Sequence, residues 1–481
     1  MKMLKRLQKA KEFWFLFITS VFFFILRFPS LFEPYWYGDE GIYQVLGMGI
    51  RQGKLLYRDI FDNKPPLLYI FYSFFNGEQF WVRLLNLAFG IGCVIAFFYL
   101  SKSLFKNKKI AFLTTSIFAI LLGLPIIEGN IANAENFILL PVILGALFIT
   151  WQKHFNYKYF FAGLLVGLAF LFKIVAIFDF AAFLIFIIFT RFNFNFKNLK
   201  NKTLPVYSFI LGFIIPIGLT AIIFAIQGAF SDFTKATLFS NVGYVGYGNK
   251  FLIPQGLLIL KLLALSLFTW FIFKKKDKLS IEGIFIYLWF AFSLYNAFFS
   301  QRPYTHYLLV LLPSFCLLIG FLFDNAVFRR FTLVVFLITT ILVLQNFWFF
   351  KKTTYYYQNF FSFLINPDNT VGYQRFFDRN TPTDYKLASY INTHVLESES
   401  IFIWGNNAQL YKLTNKLPLV KYAVAYHISN YKDGYPLTKK ALFDTKPKLI
   451  IVMPNVPPYP FTISGYNLKT IDKVLIYERV L

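Results

Sequence analysis

Asp39 and Glu40 sit side by side in the segment Tyr37-Gly-Asp-Glu-Gly-Ile-Tyr43, and Lys64 stands 25 residues on, in Asp62-Asn-Lys-Pro-Pro66. Between them lies a second charged pair, Arg58-Asp59. A carboxylate can take a proton from a hydroxyl nucleophile, and an isolated lysine or arginine can neutralise a phosphate. Tyrosines such as Tyr43 can stack on a sugar or hold a lipid headgroup at an interface. Two later segments carry the same kinds of group. Asn130-Ile-Ala-Asn133-Ala-Glu135-Asn136 offers an acid among amides, and Gln301-Arg302-Pro-Tyr-Thr-His306-Tyr307 offers a cation, an imidazole and a phenol. A reaction that needs all three functions is transfer of a sugar from a polyprenyl-phosphate carrier to a hydroxyl acceptor. Each group also has a plainer use. Asp39-Glu40 can be a solvated pair, Lys64 a snorkelling cation at a helix start, and Arg302 and His306 anchors of the following helix. Lys173 and Asp179 can simply pair with each other.

The elements that must hold these groups are apolar. The chain has 481 residues, of which 57% are hydrophobic, 22% aromatic and 15% charged, against about 25% charged in a soluble domain. The formal net charge of +25 falls in short basic clusters between apolar runs, a positive-inside pattern rather than a nucleic-acid-binding stripe. Cys93 and Cys316 both lie in apolar runs and form neither a disulfide framework nor a CxxC metal site. The first apolar run lacks a small-residue cleavage site, which favours an uncleaved helix over a signal peptide.

A span takes about 20 apolar residues. On that measure the candidates are 13–32, 81–100, 110–127, 137–151, 159–173, 175–190, 204–227, 256–273, 280–299, 306–323 and 331–350. Lysines and arginines alternate between the intervening loops so as to place the N-terminus inside and the C-terminus outside. The acidic, histidine-bearing loops then share the outer face. Residues 1–350 form the membrane domain, with a first outer loop at 33–80, and 351–481 form a small extracytoplasmic α/β domain. In that tail 401–404, 448–452 and 474–479 read as strands, and 385–395 and 438–443 as helices. The outer loop 228–254, Gly- and Tyr-rich at 243–248, reads as either a gate over the lipid site or a flexible loop, and the Phe-Asn run 192–196 as an interfacial turn.

The first-loop segment, from Tyr37-Gly-Asp-Glu-Gly-Ile-Tyr43 through Gly53-Lys-Leu-Leu-Tyr-Arg-Asp59 to Asn63-Lys-Pro-Pro66, resembles that of GT-C glycosyltransferases. The nearest branches are the dolichyl-phosphate-mannose–protein mannosyltransferases and the bacterial lipid A aminoarabinose transferases. Asn133-Ala-Glu-Asn136 and Arg302 with His306-Tyr307 and Pro313 resemble later motifs of the family. The resemblance implies an α-helical polytopic membrane protein and an inverting, single-displacement transfer. It makes Asp39 the general base, with Glu40 shaping the same pocket. It makes Lys64 and Arg302 the phosphate-binding cations. Tyr43, Arg58, Asp59, Glu135, His306 and Tyr307 become substrate-binding residues. No metal is indicated, although some GT-C enzymes use a divalent cation. Glu135 stands where several relatives have Asp, and the tail lacks the sugar-binding modules of eukaryotic protein mannosyltransferases. The Phe- and Lys-rich, Cys-poor composition points to an AT-rich bacterial genome, hence an undecaprenyl carrier, the inner membrane, and a lipid, glycan or protein acceptor. A transporter or flippase, or an O-antigen ligase, is the alternative class.

Overall fold

The structure is a computed structural model that describes residues 2–151, 157–191, 199–241, 256–300, 302, 304–454 and 456–480. The stretches 192–196 and 243–248, with Gln301 and Pro303, lie outside the described residues.

All eleven apolar stretches are helical. They are Lys2–Arg27, Gln79–Leu104, Lys108–Gly123, Ala134–Thr150, Lys158–Phe172, Ile177–Arg191, Leu199–Ile226, Gly256–Lys274, Ile281–Ala297, Leu312–Asp324 and Arg329–Asn346. Backbone N–H and C=O groups have no water to bond in hydrocarbon, so each segment must satisfy its own. Among the described residues, Lys9–Phe32, Gln79–Leu104, Thr203–Ile226 and Arg329–Asn346 are long and apolar enough to cross a membrane, and five further apolar helices are shorter.

Prolines account for two boundaries that differ from expectation. The stretch 110–127 stops being α-helix at Gly123, because Pro125 opens a 3-10 turn, Pro125–Ile127, and a residue before proline is steered away from the α region. The stretch 306–323 starts as helix only at Leu312, with Pro313 in its first turn, where its missing N–H costs nothing. His306 and Tyr307 therefore lie in a separate 3-10 turn, Thr305–Leu309.

The chain divides into two units. The first comprises 1–28, 84–223 and 237–353 and holds most of the apolar helices. Within it, helices Lys158–Phe172 and Leu199–Ile226 approach closely at Gly163 and Gly212. A Cβ on Gly163 would stand 2.1 Å from the Phe209 carbonyl oxygen, and one on Gly212 would stand 2.1 Å from that of Phe160. Small residues at such crossings let backbones meet in lipid, where packing rather than water exclusion drives association.

The second unit gathers 29–83, 224–236 and 354–481. Its sheet has strands β1 (Ile401–Trp404), β2 (Leu449–Val452), β3 (Tyr466–Ile471) and β4 (Val474–Arg479), in the order β1-β2-β4-β3. β1 and β2 are parallel, and β2–β4 and β4–β3 antiparallel. The parallel pair is buried along its whole length, as strands covered on both faces must be. Helices Gln409–Leu413, Ala425–Asn430 and Gly434–Thr445 lie in its crossover. Strand β3 was not expected. It is a mostly exposed edge, Tyr-Asn-Leu-Lys-Thr-Ile, joined to β4 through Asp472 and Lys473 at φ 47° and 70°. Two successive positive φ values make a primed hairpin turn, without the glycine that usually announces one. The two expected helices run longer, Thr381–His394 and Gly434–Thr445. In the first of these, buried Asp384 accepts hydrogen bonds from Asn407 at 3.0 Å and Gln409 at 2.9 Å. Burial nevertheless pushes its carboxyl up to about 6.

Candidate functional site

The first loop is not irregular. It contains helix Gly38–Arg51 and helix Leu67–Phe74. Asp39 and Glu40 fall in the first turn of the former, where the helix dipole favours anions. Successive residues on a helix point about 100° apart, so these adjacent acids serve different neighbours. Asp39 faces Tyr43, one turn on, whose hydroxyl donates to Asp39 Oδ2 at 3.1 Å. Its side chain is 41% exposed. Glu40 is 1% exposed and pairs with the buried Arg83, whose Nε donates to Oε1 at 3.1 Å. The same guanidinium bonds the Ser30 carbonyl at 2.7 Å and meets Glu33 at 2.9 Å. Glu33 in turn accepts from the Tyr356 hydroxyl.

The second helix brings Lys64 to Asp39. The two helices pack so closely that a Cβ on Gly47 would stand 2.7 Å from the Tyr72 backbone. The chain enters Leu67–Phe74 through Pro65 and Pro66. Lys64 Nζ lies 3.7 Å from Asp39 Oδ2, 3.5 Å from Asp62 Oδ2 and 4.8 Å from the centre of the Tyr43 ring. Its backbone is fixed at both ends: its N–H donates to the Tyr69 hydroxyl at 3.2 Å, and its carbonyl accepts from the Tyr57 hydroxyl at 2.8 Å. The Tyr69 hydroxyl also donates to Asp62 at 2.7 Å. Burial and then the Asp62 charge raise the Tyr69 phenol well above its usual range, so it stays a donor. Asp62 is 2% exposed and its Oδ1 faces His427 Nε2 at 3.7 Å. Asp62 and His427 were not among the expected site residues. Asp62 was visible in the Asp-Asn-Lys motif, whereas His427 lies over 360 residues away in sequence and carries no local signal.

Arg58 and Asp59 pair with each other at 3.1 Å. The guanidinium holds the Asp59 carboxyl below its usual range. They line a cleft of about 370 Å³ with Lys54, Lys421, Lys440 and Asp444.

The other unit holds a second cluster. Glu135, in the first turn of Ala134–Thr150, is 2% exposed and pairs with Lys173. Lys173 is therefore not the partner of Asp179, which instead accepts from the Trp289 indole at 2.7 Å. His306 places Nδ1 2.8 Å from Glu128 and Nε2 3.8 Å from Glu135. The Tyr307 ring lies 4.4 Å from Lys173 Nζ and edge-on to His306 at 4.7 Å. Lys173 and Glu128 are thus further members of this cluster. Arg302 is half-buried at the head of the same segment. Among the described residues no group of three or more His, Cys, Asp and Glu side chains could hold a metal ion.

Residues 64–219 match the family model of dolichyl-phosphate-mannose-protein mannosyltransferases. No curated protein sequence matches the chain. The structure resembles that of ArnT from Cupriavidus metallidurans, solved bound to undecaprenyl phosphate, with 12% identity and a TM-score of 0.55 over 98% of each chain. It also resembles the oligosaccharyltransferase AglB from Archaeoglobus fulgidus, solved with an inhibitory peptide and a dolichol-phosphate. There the identity is 13% and the TM-score 0.50, over 92% of this chain and 69% of that one. These likenesses show that the chain shares the fold of the ArnT structure.

Proposed function

We propose that the protein is an inverting glycosyltransferase that moves a sugar from a polyprenyl-phosphate donor to a hydroxyl-bearing acceptor at the outer face of a bacterial inner membrane. The observation that carries this reading is the pairing of a half-exposed carboxylate with a mostly buried ammonium, Asp39 and Lys64, 3.7 Å apart. Asp39 takes the proton of the acceptor hydroxyl. That oxygen attacks the anomeric carbon as the carbon–phosphate-oxygen bond breaks, and the electron pair leaves on the lipid phosphate. Lys64 neutralises the departing phosphate. The Tyr43 hydroxyl holds the Asp39 carboxylate in one orientation. Tyr43, Arg58, Asp59, Glu135, His306 and Tyr307 serve sugar or acceptor. Glu40 acts on the site through the helix it shares with Asp39, because its carboxylate is engaged by Arg83. The donor lipid is undecaprenyl phosphate, as in the ligand of the ArnT structure, and no step requires a metal.

The test has two parts. Mass spectrometry of glycolipids, envelope glycans and glycoproteins in a deletion strain reveals the missing sugar and so supplies the substrates. With these, Asp39→Asn is expected to lower the transfer rate by about 10²- to 10⁴-fold, the usual contribution of a general base. Near-normal transfer by a properly inserted variant overturns the mechanism. Vectorial movement of lipid without a new glycosidic bond overturns the function.

A further inference from the structure

The loop that carries Lys64 is pinned by the C-terminal residues one position before Asp62. The Phe61 N–H donates to the Lys421 carbonyl at 2.8 Å, in a parallel bridge with Tyr422. The Phe61 ring packs edge-on to Tyr422, His427 and Tyr431. Asp62 then divides its carboxylate. Oδ2 meets Tyr69 and Lys64, and Oδ1 faces His427. His427 is 4% exposed, and its Nδ1 has no hydrogen-bond partner among the described residues.

We propose that His427 is a positioning residue for the Lys64 ammonium, acting through Asp62. This rests on the reading of Lys64 as the ligand of the donor phosphate. The 3.7 Å separation is too long for a hydrogen bond, but a proton on Nε2 aims the ring dipole at Asp62 Oδ1. Burial lowers the imidazole to about 4, so at neutral pH it acts as a dipole and not as a cation. It therefore draws on part of the Asp62 charge without replacing Lys64 as its partner. Remove the dipole, and Oδ1 loses the polar group it faces. The carboxylate then commits to Lys64, and the ammonium is less available to an incoming phosphate.

The experiment measures binding of undecaprenyl phosphate to the full chain in lipid nanodiscs. His427→Phe keeps the ring contacts and removes the dipole, and it is expected to weaken binding about tenfold, the scale of one lost interaction with a charged group. Asp62→Asn removes the charge through which His427 acts, so in the double variant the His427→Phe effect should vanish. Wild-type binding by His427→Phe, or an effect that persists in full beside Asp62→Asn, overturns the proposal. If His427→Phe does not accumulate as folded protein, His427→Leu is read in the same way. Lys64→Ala separates the two levels of the argument. If it abolishes binding while His427→Phe leaves binding intact, the positioning role alone fails. If Lys64→Ala itself binds normally, the phosphate reading fails and the positioning role with it.

Discussion

Asp39 and Glu40 are chemically alike and adjacent, yet one is 41% exposed at the side chain and the other buried against Arg83. Their substitutions should separate cleanly. Asp39→Asn should lose activity at an unchanged unfolding temperature. Glu40→Gln leaves part of a buried guanidinium charge uncompensated and should destabilise by about 3 kcal/mol, the lower end for a broken buried pair, because Glu33 still meets Arg83. Thermal unfolding in detergent, followed beside transfer, checks both. Asp384 gives a pH signature. Its carboxyl is raised from 3.8 to about 6 in the fold, so the folded state holds its proton more tightly than the unfolded one. The stability this confers is fully present below pH 3.8 and is lost as pH rises to about 6. The unfolding midpoint of Asp384→Asn, relative to wild type, should therefore improve across that window. His427, lowered to about 4, works the other way and costs stability as pH falls from about 6.5 to 4, so the comparison must be made within one histidine background.

Among the secondary-structure elements, close helix approach is the most exposed to test. Gly163→Val places a side chain against the Phe209 carbonyl, and overpacking of this kind costs about 1–3 kcal/mol. Gly218→Ala, on the same helix as Phe209 but with no atom within 4 Å of its added Cβ, is the control and should unfold like wild type. Elements that announce themselves by apolar length were legible in the sequence, and so were the two buried strands. The helices inside the first loop were not. Gly38–Arg51 mixes four glycines with charged residues, and its packing partners, Tyr72 and helix Gln409–Leu413, are remote in sequence. Proline boundaries were readable in principle at Pro125 and Pro313. The resemblance put Asp39 and Lys64 in one candidate site, whereas their 3.7 Å contact, the Glu135–Lys173 pair and His427 needed the fold, because each joins residues that share no local pattern.

Across the whole molecule, orientation remains to be fixed by chemistry, and the cysteines make that simple. Cys93 and Cys316 are both buried and unpaired, so the wild-type chain should be silent to a membrane-impermeant maleimide. Ser398 is exposed in the C-terminal unit, and Ser398→Cys should label in intact spheroplasts. Labelling only after lysis would place the C-terminal residues, and the catalytic loop proposed here, on the cytoplasmic side.

The bridge from Phe61 to Lys421 has a consequence for biogenesis. A ribosome adds about 5–20 residues per second, so the partner of the Phe61 amide emerges roughly 20–70 s after Phe61 itself. Throughout that interval the segment that holds Lys64 must wait without its brace, while most of the membrane helices are made and inserted. A chain stalled or cleaved before residue 421 would be inserted in the membrane with its lysine loop still unpinned. The Lys64 loop thus gains its brace only once residue 421 has been made.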